Sequence, residues 1–168
     1  MRLDTVKSGV ESLWEQVADG WRHLMRSATG ALTRFRASRS ADLPAATEVD
    51  DEAYLPSFGW AMLGGDVFED ERRLVVRLEV PGMEKSDFDI QVLDDALLVS
   101  GEKRFQREDG DGRWRVVQCA YGNFRRTVPL PVPVVADQAQ ASYRNGVLRI
   151  ELPKARPGRP AVRAIPVH

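Results

Sequence analysis

Apolar residues recur at every second position across the second half of this chain, in short runs that end at turns. The first run ends at Pro81-Gly82 and consists of Leu74, Val76, Leu78 and Val80. Such alternation places the apolar side chains on one face of a β-strand. Pro followed by Gly favours a turn, because Pro presets its φ angle and Gly accepts a positive one. A strand–turn pattern is therefore the strongest constraint on how the chain folds.

Five further segments show the same alternation and are predicted strands: residues 88–92, 96–103, 124–130, 139–143 and 147–152. Asn145-Gly146 joins the last two, and this pair is the strongest short signal for a hairpin. A shorter strand is predicted at residues 114–119. Short strands at this spacing predict an all-β fold, an antiparallel immunoglobulin-like β-sandwich of about 95 residues.

Charge divides the chain into four parts: an amphipathic N-terminal arm (residues 1–40), an acidic segment (41–59), the sandwich domain (60–153) and a basic, Pro-rich tail (154–168). The acidic segment holds five acidic residues and no basic one, and we expect it to be a polar linker. The whole chain has 24 Lys and Arg against 25 Asp and Glu. This balance argues against a nucleic-acid partner, because proteins that bind nucleic acids generally carry a clear excess of basic residues.

The apolar residues of the arm recur at steps of three and four, as on one face of a helix. The residues expected to bind other proteins from this stripe are Leu13, Trp14, Val17, Trp21, Leu24 and Phe35. This arm is expected to be helical or partly disordered. One alternative to client binding is an amphipathic helix that packs on its own domain. Another is a helix on a membrane surface or a transit peptide, and the four acidic residues of the arm disfavour both.

Enzyme chemistry, metals and cofactors are not expected. The two histidines, His23 and His168, lie outside the sandwich, and Cys119 is the single cysteine. A catalytic triad needs a histidine on a rigid scaffold, and a Cys/His zinc site needs three or four ligands. No nucleotide-binding glycine motif is present. One cysteine and no secretory signal indicate a reducing, cytoplasmic setting.

Four motifs in order resemble the α-crystallin domain of the small heat-shock proteins, in the bacterial and plant branch. They cover residues 80–90 (VPGMEKSDFDI), 98–103 (LVSGEK), 121–126 (YGNFRR) and 141–154 (ASYRNGVLRIELPK). The tail adds Ile165-Pro166-Val167, which resembles the family's Ile-x-Ile/Val anchor. The resemblance spans about residues 66–154 and implies an oligomeric chaperone.

Ile165 and Val167 are two apart, so on an extended segment both point to the same side. From Leu152, an extended chain would carry Ile165 about 40 Å, far enough to reach another subunit. The resemblance places the groove for this anchor between two strands. The groove residues it implies are Phe88, Ile90 and Val92 on one strand, with Ala139 and Ala141 on the other.

The resemblance also implies that the loop over residues 104–120 crosses to a partner and forms a dimer. The interface residues it implies are Trp114, Cys119, Tyr121 and Arg126. An alternative is that Trp114 packs on its own sheet. Arg126 follows an apolar register, so we expect it to be half-buried beside a carboxylate or carbonyl. We expect Cys119 to be a small buried hydrophobe rather than a redox switch.

The function implied is that of an ATP-independent holdase, which binds partly unfolded proteins and prevents their aggregation as a homo-oligomer built from dimers. Its partners would be non-native proteins and copies of itself. One alternative is an adaptor that resembles the CS-type co-chaperones, which would be a monomer. The other is a coat on a membrane or granule surface, with the arm lying on that surface.

Overall fold

A computed structural model describes residues 30–57 and 59–158 of the chain. Nine strands cover most of this part: β1 (Leu32–Arg36), β2 (Gly59–Met62), β3 (Gly65–Glu69), β4 (Arg73–Glu79), β5 (Phe88–Val92), β6 (Ala96–Lys103), β7 (Gly122–Pro129), β8 (Gln140–Arg144) and β9 (Val147–Pro153). Four short 3-10 turns join them, at Arg39–Ala41, Ala46–Glu48, Lys85–Asp87 and Ala136–Gln138.

The strands form two antiparallel sheets that pack face to face. The first sheet has the order β2-β1-β7-β6-β5, and the second has the order β3-β4-β9-β8. This architecture confirms the predicted all-β sandwich. Strands β5 and β8 are the edge strands at one side of the sandwich, and β2 and β3 are the other two edges.

The core lies between the sheets and is built from the alternation seen in the sequence. Leu74, Val76 and Leu78 on β4 point into it. On β9 they pair directly with Leu152, Ile150 and Leu148, which are also buried. Each such side chain contributes about 1.5–3 kcal/mol when it leaves water. The central strands of the second sheet therefore anchor the fold.

The sandwich begins earlier than the sequence predicted, because the end of the arm is a strand rather than a helix. In β1, Thr33 and Phe35 are buried and their neighbours are exposed. Phe35 fits the helical stripe of the arm only because another apolar residue, Leu32, lies three positions before it. Residues 32–35 pair with β2 and residues 35 and 36 pair with β7. Phe35 is therefore a core residue, and its prediction as a client-binding residue is wrong.

The acidic segment is folded, not the polar linker that its composition predicted. Ala41, Val49 and Tyr54 are buried, and the Tyr54 hydroxyl donates a hydrogen bond of 2.9 Å to the carbonyl of Pro44. The segment contacts the loop between β6 and β7, because the N–H of Phe105 donates a hydrogen bond of 2.8 Å to the carbonyl of Ala41.

Two further differences concern strands. The predicted strand at residues 114–119 is absent, and only an isolated bridge joins Trp114 to Val49 there. In contrast, β3 was not predicted, and it pairs with β4 along its length.

Candidate functional site

The two sheet edges formed by β5 and β8 enclose an apolar groove, here called the edge groove. Its cavity has a volume of about 310 Å³. Its lining includes four of the five predicted groove residues: Ile90, Val92, Ala139 and Ala141. The fifth, Phe88, does not line the cavity and instead packs on Tyr143, with ring centroids 5.0 Å apart.

The chemistry of the edge groove suits an extended peptide. Each edge strand presents backbone N–H and C=O groups on its outer side, and the floor between them is apolar. Asp137 is the charged residue in its lining. An incoming segment with apolar side chains two residues apart could pair with an edge and bury both side chains. Ile165 and Val167 have this spacing, and they lie outside the described residues.

Tyr143 holds the turn after β4 beside the edge groove. Its hydroxyl donates a hydrogen bond of 2.8 Å to the carbonyl of Val80 and accepts one of 3.4 Å from the N–H of Met83. These bonds join β8 to the Pro81-Gly82 turn.

The start of the tail is fixed to the sandwich by Lys154, a buried lysine with three acceptors. Its Nζ lies 2.6 Å from Oε1 of Glu69, 3.2 Å from the carbonyl of Asp70 and 2.7 Å from that of Gly158. The N–H of Gly158 also donates to the carbonyl of Glu71, at 2.8 Å. The described part of the tail is therefore held on the domain beyond Leu152, as far as Gly158. From there to Ile165 an extended chain covers about 25 Å instead of about 40 Å.

The loop between β6 and β7 (residues 104–121, here called the long loop) lies on its own subunit. The Trp114 ring meets that of Phe105 edge to face, with centroids 4.8 Å apart. The carbonyl of Trp114 accepts a hydrogen bond of 2.8 Å from the N–H of Asp50. Trp114 is therefore half-buried by residues of its own chain, as in the alternative considered above. Its contacts are Phe105 and the acidic segment rather than a sheet.

Four ion pairs join the long loop to the acidic segment. Arg107 lies 3.1 Å from Asp42 and 3.0 Å from Glu48. Asp50 accepts from two arginines, Arg113 at 2.7 Å and Arg115 at 2.6 Å. Three of the five acidic residues of the segment, Asp42, Glu48 and Asp50, thus find basic partners in the loop. Sequence reasoning missed this contact, although the opposite charges of the two segments were its signal.

Glu48 gives this contact a dependence on pH. The hydrogen bond from Arg107, and then that from the backbone of Ala45, lower the pKa of Glu48 below its usual value. A carboxylate with a lowered pKa stabilises the folded state above its unfolded pKa. The stabilisation is lost as the pH falls through the lowered value, so acid weakens the attachment of the loop.

Tyr121 and Cys119 lie at the end of the long loop. The Tyr121 ring is 5.1 Å from that of Phe105, and Nζ of Lys103 lies 5.3 Å from its centroid. Burial, and then the neighbouring Cys119, raise the pKa of Tyr121. The Cys119 thiol is exposed, so the prediction of a buried hydrophobe is wrong. The predicted strand over residues 114–119 does not form, so no strand turns the Cys119 side chain towards the core.

Arg126 is half-buried on β7, between the buried Phe124 and Val128. Its Nη1 donates a hydrogen bond of 3.2 Å to the carbonyl of Thr127, which is the carbonyl partner expected. Burial lowers the pKa of Arg126, and its Nε is buried without a partner among the described residues. Gly30 makes room for this side chain, because a Cβ at Gly30 would lie 2.8 Å from Nη1.

The other predicted residues lie outside the described part of the chain: Leu13, Trp14, Val17, Trp21, Leu24, Ile165 and Val167. Within residues 30–57 and 59–158, no cluster of three or more His, Cys, Asp or Glu side chains has the geometry to hold a metal ion. In the same part of the chain, no helix is long and apolar enough to span a membrane.

An antiparallel sandwich with an edge groove and a long loop between its sixth and seventh strands defines an α-crystallin-type domain. The match of residues 66–168 to the model of the Hsp20/alpha crystallin family shows that this chain belongs to that family. The resemblance drawn from the sequence motifs is thereby confirmed. The family comprises small heat shock chaperones rather than enzymes.

Known proteins support the assignment. The chain is 36% identical over 94 residues to a 17.5 kDa class I heat shock protein of Glycine max, covering 55% of this chain and 61% of that protein. It thus spans about three fifths of the length of the curated relatives it matches. The structure of heat shock protein 16.0 from Schizosaccharomyces pombe has a TM-score of 0.54 and 30% identity, covering 63% of this chain and 97% of the other. For hspA from Xanthomonas axonopodis the TM-score is 0.50 and the identity 29%, over 57% of this chain and 96% of that one.

Proposed function

We propose that this protein is an ATP-independent holdase, which binds partly unfolded proteins and prevents their aggregation under heat or other stress. It works in the cytoplasm as a homo-oligomer built from dimers and catalyses no reaction. The edge groove is the observation that carries this proposal. It offers an extended segment two backbone edges and an apolar floor, which suits both the tail of another subunit and a strand of an unfolded client.

The mechanism is mass action. Binding of the apolar surface that unfolding exposes lowers the concentration of chains that can aggregate. In the arm, the client-binding residues are Leu13, Trp14, Val17, Trp21 and Leu24. Since many copies of these weak sites stand on one oligomer, avidity raises the overall affinity. Heat loosens the contacts of tail and arm and so exposes more of this surface.

Serine in place of both Trp14 and Trp21 tests the arm in the full-length chain. We expect light scattering of a heat-labile client to be suppressed by the parent at near-equimolar amounts without nucleotide. The double variant should need on the order of ten times more protein, since buried tryptophans dominate such contacts. Trp60→Ser, on β2, is the matched control and should behave as the parent. If the parent fails at every temperature, the holdase proposal is wrong and the adaptor or coat gains support.

Assembly through the tail is tested by Ile165→Ser combined with Val167→Ser. Loss of two buried β-branched side chains should weaken the tail contact by at least about tenfold. We expect light scattering to report a fall in mass from the oligomer towards the dimer. Ala141→Asp, which places a charge in the edge groove, should have the same effect, and Val162→Ser in the spacer should have none. An unchanged oligomer in both test variants would rule out this pairing.

A further inference from the structure

The long loop cannot serve two partners at once. The N–H of Phe105 donates to the carbonyl of Ala41, and the carbonyl of Trp114 accepts from the N–H of Asp50, both at 2.8 Å. These backbone groups would have to leave the acidic segment before the same residues could pair with a second subunit. Attachment within the subunit and exchange between subunits are therefore alternatives.

The free edge of β3 is where the loop of a second copy could pair with the sandwich. Strand β3 is an edge of the second sheet and pairs on one side only, with β4. Val67 and Phe68 on this edge are large exposed hydrophobic residues. An edge of this kind pairs readily with another strand. The loop can thus exchange a polar contact in its own subunit for backbone pairing in another.

The contact in the same subunit is suited to release. Its ion pairs join exposed arginines, Arg107, Arg113 and Arg115, to carboxylates at the surface. Exposed pairs are individually weak and are screened by salt. The aromatic contact of Trp114 with Phe105 lies within the loop and travels with it. Beside these ion pairs, the segment is joined to the loop by the bridge from Val49 to Trp114 and by the hydrogen bond from the N–H of Phe105 to the carbonyl of Ala41.

We propose that the acidic segment is a clamp that holds the long loop on its own subunit and competes with dimer formation. Asp42, Glu48 and Asp50 form the clamp, and the loop arginines are what it holds. Higher salt opens it, because screening weakens the pairs. The inference rests on the dimer proposed above and adds its regulation: the acidic segment sets how readily loops exchange between copies.

The test is a triple variant of the full-length chain, Asp42→Asn, Glu48→Gln and Asp50→Asn. These changes keep the side-chain shapes, and Asn tolerates the positive φ of 51° at residue 42. The control, Glu108→Gln, Asp109→Asn and Asp111→Asn, removes the same charge from exposed positions of the loop. None of these three carboxylates forms an ion pair within the described residues.

Amide hydrogen exchange and the dissociation constant of the dimer on dilution are the two measurements. In the triple variant we expect lost protection at Phe105 and residue 50, gained protection in β3, and a dissociation constant on the order of tenfold lower. In the parent and the control, salt should tighten the dimer, and in the triple variant this dependence should largely vanish.

Three other results are informative. Unchanged protection at Phe105 in the triple variant overturns the clamp, whatever the assembly state. A released loop without a tighter dimer overturns the competition. If all three chains stay monomeric while the triple variant alone loses protection, the clamp stands and the dimer of the proposed function is wrong.

Discussion

Alanine in place of Phe35 is expected to lower the free energy of unfolding by about 3–5 kcal/mol. Phe35 is 2% exposed, and its ring centroid lies 5.1 Å from that of Phe124 on the neighbouring strand. Truncation leaves a cavity that two close-packed sheets cannot close. For a domain of this size, the loss lowers Tm by roughly 10–20 °C.

Leu32→Ala is the matched control, because Leu32 lies on the same strand but is 51% exposed. We expect it to change the free energy of unfolding by less than about 1 kcal/mol. Thermal unfolding followed by circular dichroism measures both variants. Similar Tm values for the two variants would contradict a core position for Phe35 and would favour the exposed stripe of the arm that the sequence alone predicted.

Glu69→Gln is expected to cost about 2–3 kcal/mol of the free energy of unfolding, because it removes the charged partner of a buried lysine. The side chain of Lys154 is 3% exposed and that of Glu69 is 17% exposed. The partial exposure of Glu69 keeps the cost below that of a fully buried pair. The change also frees the carbonyl of Gly158 from a firmly held lysine, so the first residues of the tail should exchange their amide hydrogens faster.

Asp66→Asn provides the comparison on the same strand. Asp66 pairs with Arg77 at 2.8 Å, but both side chains are largely exposed, and such pairs are worth about 0–1 kcal/mol. Urea unfolding of the two variants gives the difference directly. If Glu69→Gln costs no more than Asp66→Asn, Lys154 does not hold the tail.

Strands β4 to β9 were predictable from the sequence because each carries its own local signal. In β9 the residues of one face are buried and those of the other are partly exposed, and β4 follows the same alternation except at the buried Val75, so the pattern is visible in the residues themselves. The edge groove follows from the same register. Phe88 does not line the groove, because its ring packs on that of Tyr143. These residues lie on different sheets, and the sequence alone does not show which side chains meet between sheets.

The remaining strands lack that signal. The residues of β3 are exposed except for the partly exposed Glu69, so no alternation marks this edge. Strand β1 has only five residues, and so short a run is compatible with both the helical period and the strand period of two. The position of Trp114 depends on Phe105 at the start of the same loop and on Val49, which comes from the acidic segment. Contacts of this kind are set by the assembled fold and not by any one segment.

The pairing of early strands with late ones has a consequence for how the chain folds. Phe35 on β1 pairs with Phe124 on β7, and Leu74 on β4 pairs with Leu152 on β9. Contacts between residues so far apart in the chain form slowly, because the entropy cost of closing a large loop comes before the contacts can stabilise the fold. On the ribosome, β1 and β4 are made well before their partners. The apolar faces of a newly made copy therefore stay uncovered until β9 has been synthesised, and during that interval the chain itself is prone to aggregate.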